Sequence, residues 1–383
     1  MKFLVCTDSF KGSLSSPDMC AALSRGILSR LADAEVREMP LADGGEGTAE
    51  AISAALCGRA VAVDTVDPFG EPITASFAAI GDRSLAVIDT AASSGLAFAK
   101  VRADFGRGGI MRASTYGTGL MIRRALEAGY KNITVGLGGS ATNDCGIGAA
   151  AALGMRFFGA DGGELDARRG AAALGEIAAV SDEALAPELR GASLTLLYDV
   201  DIPLLGERGC ARNYAPQKGA SPDEADALDR AAASFALAAS RSLGRDLSAS
   251  PGAGAAGGLG FGLALCGGEL RSGAPFVLDV CGFDAAAGEA DVVVTGEGKC
   301  DAQTVSGKLP AWVARRAKAA GGAAVVCVCG ADRSVPEFYA LGADAVLALA
   351  DGPMSADESV ANCAALAEKL GANIAGLCAA MRR

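Results

Sequence analysis

The stretch Leu137–Gly148, with the sequence LGGSATNDCGIG, combines the residue types that hold an anion. The β-branched run before it predicts a strand that ends in a tight turn, and the alanines after it predict a helix. Glycine backbone can approach a ligand closely, and a helix N-terminus offers free N–H groups and a positive dipole end. A phosphate group suits such a place. A plain helix cap explains the same polar residues equally well.

The chain has no histidine, so any proton transfer must use Asp, Glu, Lys or Tyr. Asp199 and Asp201 stand at the end of a predicted strand over 194–200, two residues apart and therefore on one face. No GxxxxGK[ST] motif occurs, which excludes a P-loop nucleotide site.

Two further polar loops follow predicted strands near the start of the chain. The loop 8–13 comes after an apolar strand over 2–7, and the loop 41–48 comes after a strand over 36–39. Each loop precedes a predicted helix, so both loops lie at the carboxyl edge of a parallel sheet. Ligands of open α/β sheets bind at that edge.

The sequence pattern predicts an α/β fold with two domains. Both ends of the chain alternate strands and helices, whereas the segments 61–63 and 73–80, joined by a turn, indicate an antiparallel section in the middle. A length of 383 residues also exceeds one ordinary core. We therefore expect a doubly wound domain built from both ends, with a second domain inserted between them.

Composition limits the partners. The net charge of -11 argues against nucleic acid. The 12 cysteines form no CxxC pair, so they are typical of buried residues in a reducing compartment. Asp8 comes too early for a signal-peptide core, and no apolar run is long enough for a membrane span. We expect a cytoplasmic protein with neither a nucleic-acid nor a membrane partner.

Seven motifs, in order and over nearly the whole chain, together resemble the bacterial glycerate kinase family of type 1. They are DSFKGS at 8–13, ADGGEGT at 42–48, TYGTG at 115–119, GGSATND at 138–144, PQKGA at 216–220, GAGAAGGLG at 252–260 and TGEG at 295–298.

The resemblance implies a reaction and a more specific fold. The reaction is ATP-dependent phosphorylation of D-glycerate with Mg²⁺, giving 2-phosphoglycerate in preference to 3-phosphoglycerate. The fold is a flavodoxin-like parallel-sheet domain formed by 1–66 and 284–383, with an inserted α/β domain over 67–283 that contains a mixed sheet.

Within that resemblance, phosphoryl transfer needs cations for the anionic groups and hard oxygen ligands for the metal. The predicted catalytic residues are Lys11, Asp199 and Lys218. The predicted substrate-binding residues are Asp8, Ser9, Lys11, Asp43 and Glu46. The predicted nucleotide-binding residues are Gly138, Gly139, Ser140, Thr142, Asn143, Gly296 and Glu297. Asp199 and Asp201 are the predicted metal ligands, and Asp199 is alternatively the acceptor of the substrate hydroxyl proton.

Two other functions remain open at this point. The stretch 252–260 satisfies GxGxxG, the pattern of a dinucleotide-dependent oxidoreductase, although no strand precedes it. A module that senses glycerate without turning it over would need the same binding residues.

For Lys11 and for Lys218, a solvated charge on the protein surface is the simpler alternative to a role in the site.

Overall fold

The computed structural model describes residues 1–81, 84–101, 108–300, 308–332 and 337–381, with only the backbone for 331 and 332. The chain divides into two units. The first unit consists of Met1–Asp43, Glu50–Cys57 and Ala274–Arg383, and the second consists of Gly44–Ala49 and Gly58–Gly273.

The first unit contains a parallel sheet. Its strands are β1 (Lys2–Val5), β2 (Glu35–Glu38), β11 (Val292–Cys300), β12 (Ala324–Asp332) and β13 (Ala345–Ala348). They lie in the order β13-β12-β11-β1-β2, and all the pairings are parallel. Numbered without the inserted segment, this order is 2-1-3-4-5, the order of flavodoxin. The predicted flavodoxin-like sheet, formed by both chain ends, is confirmed.

Helices flank this sheet. They are α1 (Ser16–Arg30), α2 (Thr48–Ala55), α11 (Gly273–Cys281), α12 (Phe283–Glu289), α13 (Leu309–Ala320), α14 (Glu337–Ala340), α15 (Ala356–Ala361) and α16 (Cys363–Met381). The Ser15 side chain accepts from the Asp18 N–H and so caps α1, with Pro17 in the first turn.

The last helix, α16, is long and apolar enough to cross a membrane by length and composition. One face of it packs on α1, where a side chain at Gly26 would collide with the backbone of Glu368 and one at Gly371 with that of Leu23. Ile374 on the same helix is buried in the core of the first unit. The helix therefore belongs to the packed core of this unit.

The second unit contains the predicted mixed sheet. Its strands are β3 (Arg59–Val66), β4 (Pro72–Ile80), β5 (Leu85–Asp89), β6 (Asn132–Gly136), β9 (Ser193–Tyr198) and β10 (Glu269–Ser272). The order is β10-β9-β6-β5-β4-β3, with antiparallel pairing from β3 to β5 and parallel pairing from β5 to β10. A separate antiparallel pair joins β7 (Arg156–Phe158) to β8 (Ala179–Ser181).

The helices of the second unit are mostly short. They are α3 (Ala91–Ser94), α4 (Leu96–Lys100), α5 (Ile110–Arg112), α6 (Tyr116–Glu127), α7 (Ile147–Ala152), α8 (Cys210–Tyr214), α9 (Pro222–Leu243) and α10 (Ala255–Leu265), with 3-10 turns at Ala167–Glu176, Pro187–Gly191 and Pro216–Lys218. The long helix α9 begins with a capping box between Ser221 and Glu224 and ends at Gly244 in the left-handed conformation.

The domain boundaries expected after residue 66 and before residue 284 stay a prediction. In this structure β3 pairs with β4 and so belongs to the sheet of the second unit. Most of α11, from Ala274 onward, belongs to the first unit.

Candidate functional site

A pocket of about 260 Å³ opens in the first unit at the carboxyl ends of its strands. It lies where β1 adjoins β11, the point at which the strand order reverses. Ligands of flavodoxin-like folds bind at this switch point. The pocket is lined by Asp8, Ser9, Lys11, Asp43, Glu297, Gly298, Lys299 and Lys308. The structure thus brings four of the predicted substrate-binding residues together, and with them Glu297, which was predicted to bind nucleotide.

Backbone pairing beyond the ends of the strands holds this pocket in place. The Asp8 N–H donates to the Gly296 carbonyl at 2.9 Å, which ties the loop after β1 to β11. The Leu41 N–H donates to the Thr7 carbonyl at 3.2 Å, which ties the loop after β2 to the same loop. The carboxylates of Asp8 and Asp43 are therefore placed by backbone hydrogen bonds close to each of them.

Three carboxyl groups in the pocket are almost buried. Asp8 is 5% exposed, Asp43 is 7% exposed and Glu297 is 6% exposed. Burial raises the pKa of Asp8 well above its ordinary value, and the nearby charges of Asp43 and Glu297 raise it further. A hydrogen bond from the Ser9 N–H to Asp8 Oδ1, at 2.6 Å, and the charge of Lys11 act in the opposite direction.

Three lysines balance these carboxyl groups. Lys308 stands directly before α13, and its Nζ lies 3.2 Å from Glu297 Oε2. Lys11 and Lys299 line the same pocket. Lys299 and Lys308 were not predicted from the sequence as site residues. The available signal was their position: Lys299 is the next-to-last residue of β11, and Lys308 directly precedes a helix.

The stretch Leu137–Gly148, in the second unit, is built differently from the prediction. The helix after it begins only at Ile147 and is short. The N–H groups of Gly146 and Gly148, next to the start of this helix, already donate to the Asp144 carboxylate. The expectation that this helix end offers free N–H groups to an anion is therefore wrong.

Asp144 is a structural carboxylate. It is fully buried and also accepts from the N–H and the hydroxyl of Thr115, at 2.8 and 2.9 Å. Burial raises its pKa, and these hydrogen bonds oppose the rise. The motif TYGTG, to which Thr115 belongs, thus holds the motif GGSATND in place.

The first two glycines of the stretch, Gly138 and Gly139, lie against other residues of the protein. A side chain at Gly138 would collide with Gly45 and with the Glu46 N–H, and one at Gly139 would meet the Glu46 carboxylate. Glu46, predicted to bind substrate together with Asp43, belongs to the second unit and lies over Gly139. The assignment of Gly138 and Gly139 to nucleotide binding stays a prediction.

Lys218 is buried and holds the stretch Leu137–Gly148 through two hydrogen bonds. Its Nζ donates to Ser140 Oγ and to the Thr142 carbonyl, both at 2.8 Å. The side chain is buried, and burial lowers its pKa to about 8. Lys218 is therefore no surface charge. It places a buried positive charge beneath Ser140 and Thr142.

Beside Lys218, two buried side chains have polar atoms without a hydrogen-bond partner among the residues that the structure describes. They are the Thr142 hydroxyl and the Asn143 amide, of which neither oxygen nor nitrogen is hydrogen-bonded. Both residues are completely buried. Such orphaned groups are rare in folded proteins and indicate a partner of another kind, such as a water molecule, an ion or a ligand.

The predicted metal ligands follow β9. Asp199 is half-buried, and its charge adds to burial in raising the pKa of Tyr214. Asp201 is exposed. Within the described residues, no group of three or more Cys, Asp or Glu side chains is arranged to hold a metal ion. A pair of hard carboxylates nevertheless fits Mg²⁺, which takes one or two from a protein and completes its shell with water and phosphate oxygens.

The glycines of 252–260 pack against the protein itself. A side chain at Gly252 would collide with the Tyr198 ring, and one at Gly257 with the Thr142 carbonyl. The strand β9 ends at Tyr198, far from α10 in sequence, so the strand–glycine–helix context of a dinucleotide site is missing. Close packing accounts for this GxGxxG pattern.

Asp89 is a further carboxylate that the sequence analysis did not single out. Its two oxygens accept from the N–H groups of Gly47 and Ala49, at 3.0 and 3.1 Å. It thereby fixes the loop that carries Glu46 and the first residues of α2. Its place at the end of β5 was the signal that could have identified it.

A family model, curated sequences and a solved structure that match this chain all belong to one family. A family model described as the glycerate kinase family matches residues 3–379. The chain is 37% identical to the glycerate kinase of Bacillus subtilis (strain 168) over 98% of this chain and 97% of that relative. It is 37% identical to the glycerate 2-kinase of Escherichia coli (strain K12) over 83% of this chain and 82% of that relative. A crystal structure described as glycerate kinase 2 from Salmonella typhimurium LT2 matches with a TM-score of 0.86 and 35% identity, covering 100% of this chain and 99% of that chain.

Proposed function

Since the chain belongs to the glycerate kinase family, we propose that it transfers the γ-phosphoryl group of ATP to D-glycerate, giving 2-phosphoglycerate and ADP. The supporting observation is the pocket at the switch point of the parallel sheet, where buried carboxyl groups and lysines stand together. The name of the Escherichia coli relative, glycerate 2-kinase, supports the 2-phosphate. A cytoplasmic location stays a prediction.

The size and charge of the pocket suit a small hydroxy acid. A volume of about 260 Å³ is smaller than the pockets that bind drug-sized ligands, which run from about 300 Å³ upward. Lysine ammonium groups bind a carboxylate with charge-assisted hydrogen bonds. Carboxylate oxygens and the Ser9 hydroxyl are acceptors for substrate hydroxyl groups. We therefore assign Lys11 to the glycerate carboxylate, and Asp8, Ser9 and Asp43 to its hydroxyl groups.

The nucleotide assignment rests on separate observations. The orphaned polar atoms of Thr142 and Asn143, with the buried charge of Lys218 beside Ser140, fit an oxygen-rich anionic ligand such as a triphosphate. In this proposal Lys218 supports catalysis by positioning Ser140 and Thr142. Gly138, Gly139, Gly296 and Glu297 keep their predicted nucleotide role. Glu46 keeps its predicted substrate role and lies over Gly139 in the second unit.

Asp199 and Asp201 are the residues that would hold Mg²⁺. A bound Mg²⁺ neutralises phosphate charge during phosphoryl transfer. The half-buried Asp199 is the stronger candidate, because a partly desolvated carboxylate interacts more strongly with a cation than an exposed one.

One assay tests the activity. The purified chain, with ATP and Mg²⁺, is given D-glycerate, and ADP release is followed by an enzyme-coupled reaction. We expect turnover with D-glycerate and none with NAD in place of ATP. Phosphorus NMR of the product then distinguishes the 2-phosphate from the 3-phosphate. Glycerate binding without ADP release would instead favour the sensing module, and the proposed activity would be wrong.

A further inference from the structure

Phosphoryl transfer to an alcohol leaves one proton to be placed. The substrate hydroxyl oxygen bonds to the γ-phosphorus, the bond from that phosphorus to the bridging oxygen breaks, and ADP leaves with the electron pair. The hydroxyl proton must then pass to a base within hydrogen-bond reach. Because the chain contains no histidine, that base has to be another side chain.

Of the carboxyl groups in the pocket of the first unit, Asp8 has the surroundings that a base needs. It is 5% exposed, it lines the pocket, and the Ser9 N–H fixes its Oδ1 at 2.6 Å. Asp43 and Glu297 raise the proton affinity of Asp8 by their like charge, and Lys11 lowers it. Among the described residues, the remaining charged groups that line the pocket are Lys299 and Lys308.

Glu297 is less suited to this role. Its Oε2 already forms an ion pair with Lys308 Nζ at 3.2 Å, so this oxygen has a partner within the protein.

We propose that Asp8 accepts the proton of the glycerate hydroxyl as that oxygen bonds to the γ-phosphorus. This inference rests on the proposed function and goes beyond it, because it moves the proton acceptor from Asp199 in the second unit to the end of β1. Asp199 then keeps only the metal role. The proton taken up by Asp8 returns to solvent when the product leaves.

The first test is kinetic and uses ADP release at saturating ATP. Removing a general base costs about 10²–10⁴-fold in rate, so Asp8→Asn should lower kcat at least about 100-fold while KM for glycerate changes much less. The matched control is Asp33→Asn, which alters an exposed aspartate of the same unit and should leave kcat unchanged. An Asp8→Asn protein that melts at the wild-type temperature and keeps about a tenth or more of the wild-type kcat would overturn the inference.

The second test is the pH dependence of kcat, and it holds even if Asp8→Asn fails to fold. The wild-type protein should lose activity on the acid side at a pH above the ordinary aspartate range, because its base becomes protonated there. Asp43→Asn removes a like charge and should move this limb to lower pH. A purely structural role for Asp8 predicts an unmoved limb, and that result would contradict the inference.

The same assays separate the two proposals. A wild-type protein that releases no ADP with D-glycerate would refute the proposed function and this inference together. An active wild-type protein with an equally active, folded Asp8→Asn variant would refute the inference alone.

Discussion

The pocket of the first unit and the stretch Leu137–Gly148 of the second unit use the same kinds of residue for different ends. Both follow parallel strands and contain glycine, serine and aspartate. In the first unit, Asp8 is one of the residues that line the pocket. In the stretch, both carboxylate oxygens of Asp144 accept hydrogen bonds from N–H and hydroxyl groups of the protein. One carboxylate lines a pocket, and the other holds the backbone.

The two carboxylates have the same residue type and similar positions after a strand. They differ in their hydrogen-bond partners, and those partners show whether a carboxylate lines a pocket or supports the backbone. A side chain at Gly298 in the pocket would meet only ordinary contacts, the nearest being the Lys11 nitrogen at 3.7 Å. A side chain at Gly257 would collide with the backbone of Thr142. The following substitutions test how far the contrast extends.

The largest effect should come from Asp144→Ala. The substitution leaves several buried donors, including the Thr115 N–H, without an acceptor, so we expect a loss of about 3–5 kcal/mol in the free energy of unfolding. Urea denaturation followed by circular dichroism measures it. The control is Asp182→Ala, at an exposed aspartate of the same unit, which should stay within about 0.5 kcal/mol of wild type. If Asp144→Ala lowers the free energy of unfolding no more than the control does, then Asp144 does not support the structure as proposed.

The next effect compares two glycines with nearly the same backbone conformation. Gly257 has φ of 69° and Gly244 has φ of 70°, but a methyl group at Gly244 would meet nothing within 4 Å. Gly244→Ala should cost about 1–2 kcal/mol from the left-handed conformation alone. Gly257→Ala adds the collision with Thr142 and should cost at least about 2 kcal/mol more. Equal losses in urea denaturation would mean that close packing of this glycine contributes nothing.

Much of the fold follows from local sequence, and so does part of the pocket. Apolar strands followed by polar loops and helices predict a parallel sheet, and the loops after neighbouring strands must meet at its carboxyl edge. Asp8, Ser9, Lys11 and Asp43 were therefore predictable as a group. Lys308 was not, because it reaches the pocket from the start of a helix more than 250 residues later in the chain.

The stretch Leu137–Gly148 shows where the sequence is ambiguous. Glycines that face a ligand and glycines that face another backbone look alike in a sequence. The partner of Gly138 is the loop at Gly45, and the partner of Thr142 is Gly257, more than a hundred residues away. Only tertiary packing decides between the two uses, so the helix-end site predicted for this stretch could not be tested from the sequence.

A smaller effect should appear in the pH dependence of stability. Burial lowers the pKa of Lys218 to about 8, whereas an unfolded lysine titrates near 10.4. Between these values the unfolded chain binds a proton that the folded chain has lost, so stability due to Lys218 rises with pH, by up to about 1.4 kcal/mol per pH unit. Urea denaturation between about pH 7 and pH 10 should show this rise for wild type relative to Lys218→Met. If the free energies of unfolding of the two proteins change with pH in the same way, the lowered pKa of Lys218 would be contradicted.

The smallest change in stability, together with a clear change in binding, should come from Gly298→Ala. Within the described part of the chain its methyl group meets no atom closer than 3.7 Å, and alanine loses less backbone entropy than glycine on folding, so the free energy of unfolding should stay within about 1 kcal/mol of wild type. The same methyl group takes up space in a pocket of about 260 Å³ next to the Lys11 backbone. If glycerate binds there, its KM should rise several-fold while KM for ATP stays near the wild-type value. A stable Gly298→Ala protein with unchanged KM for glycerate would mean that this pocket is not where the acid binds. The two regions would then differ in structure but not in the way proposed for their function.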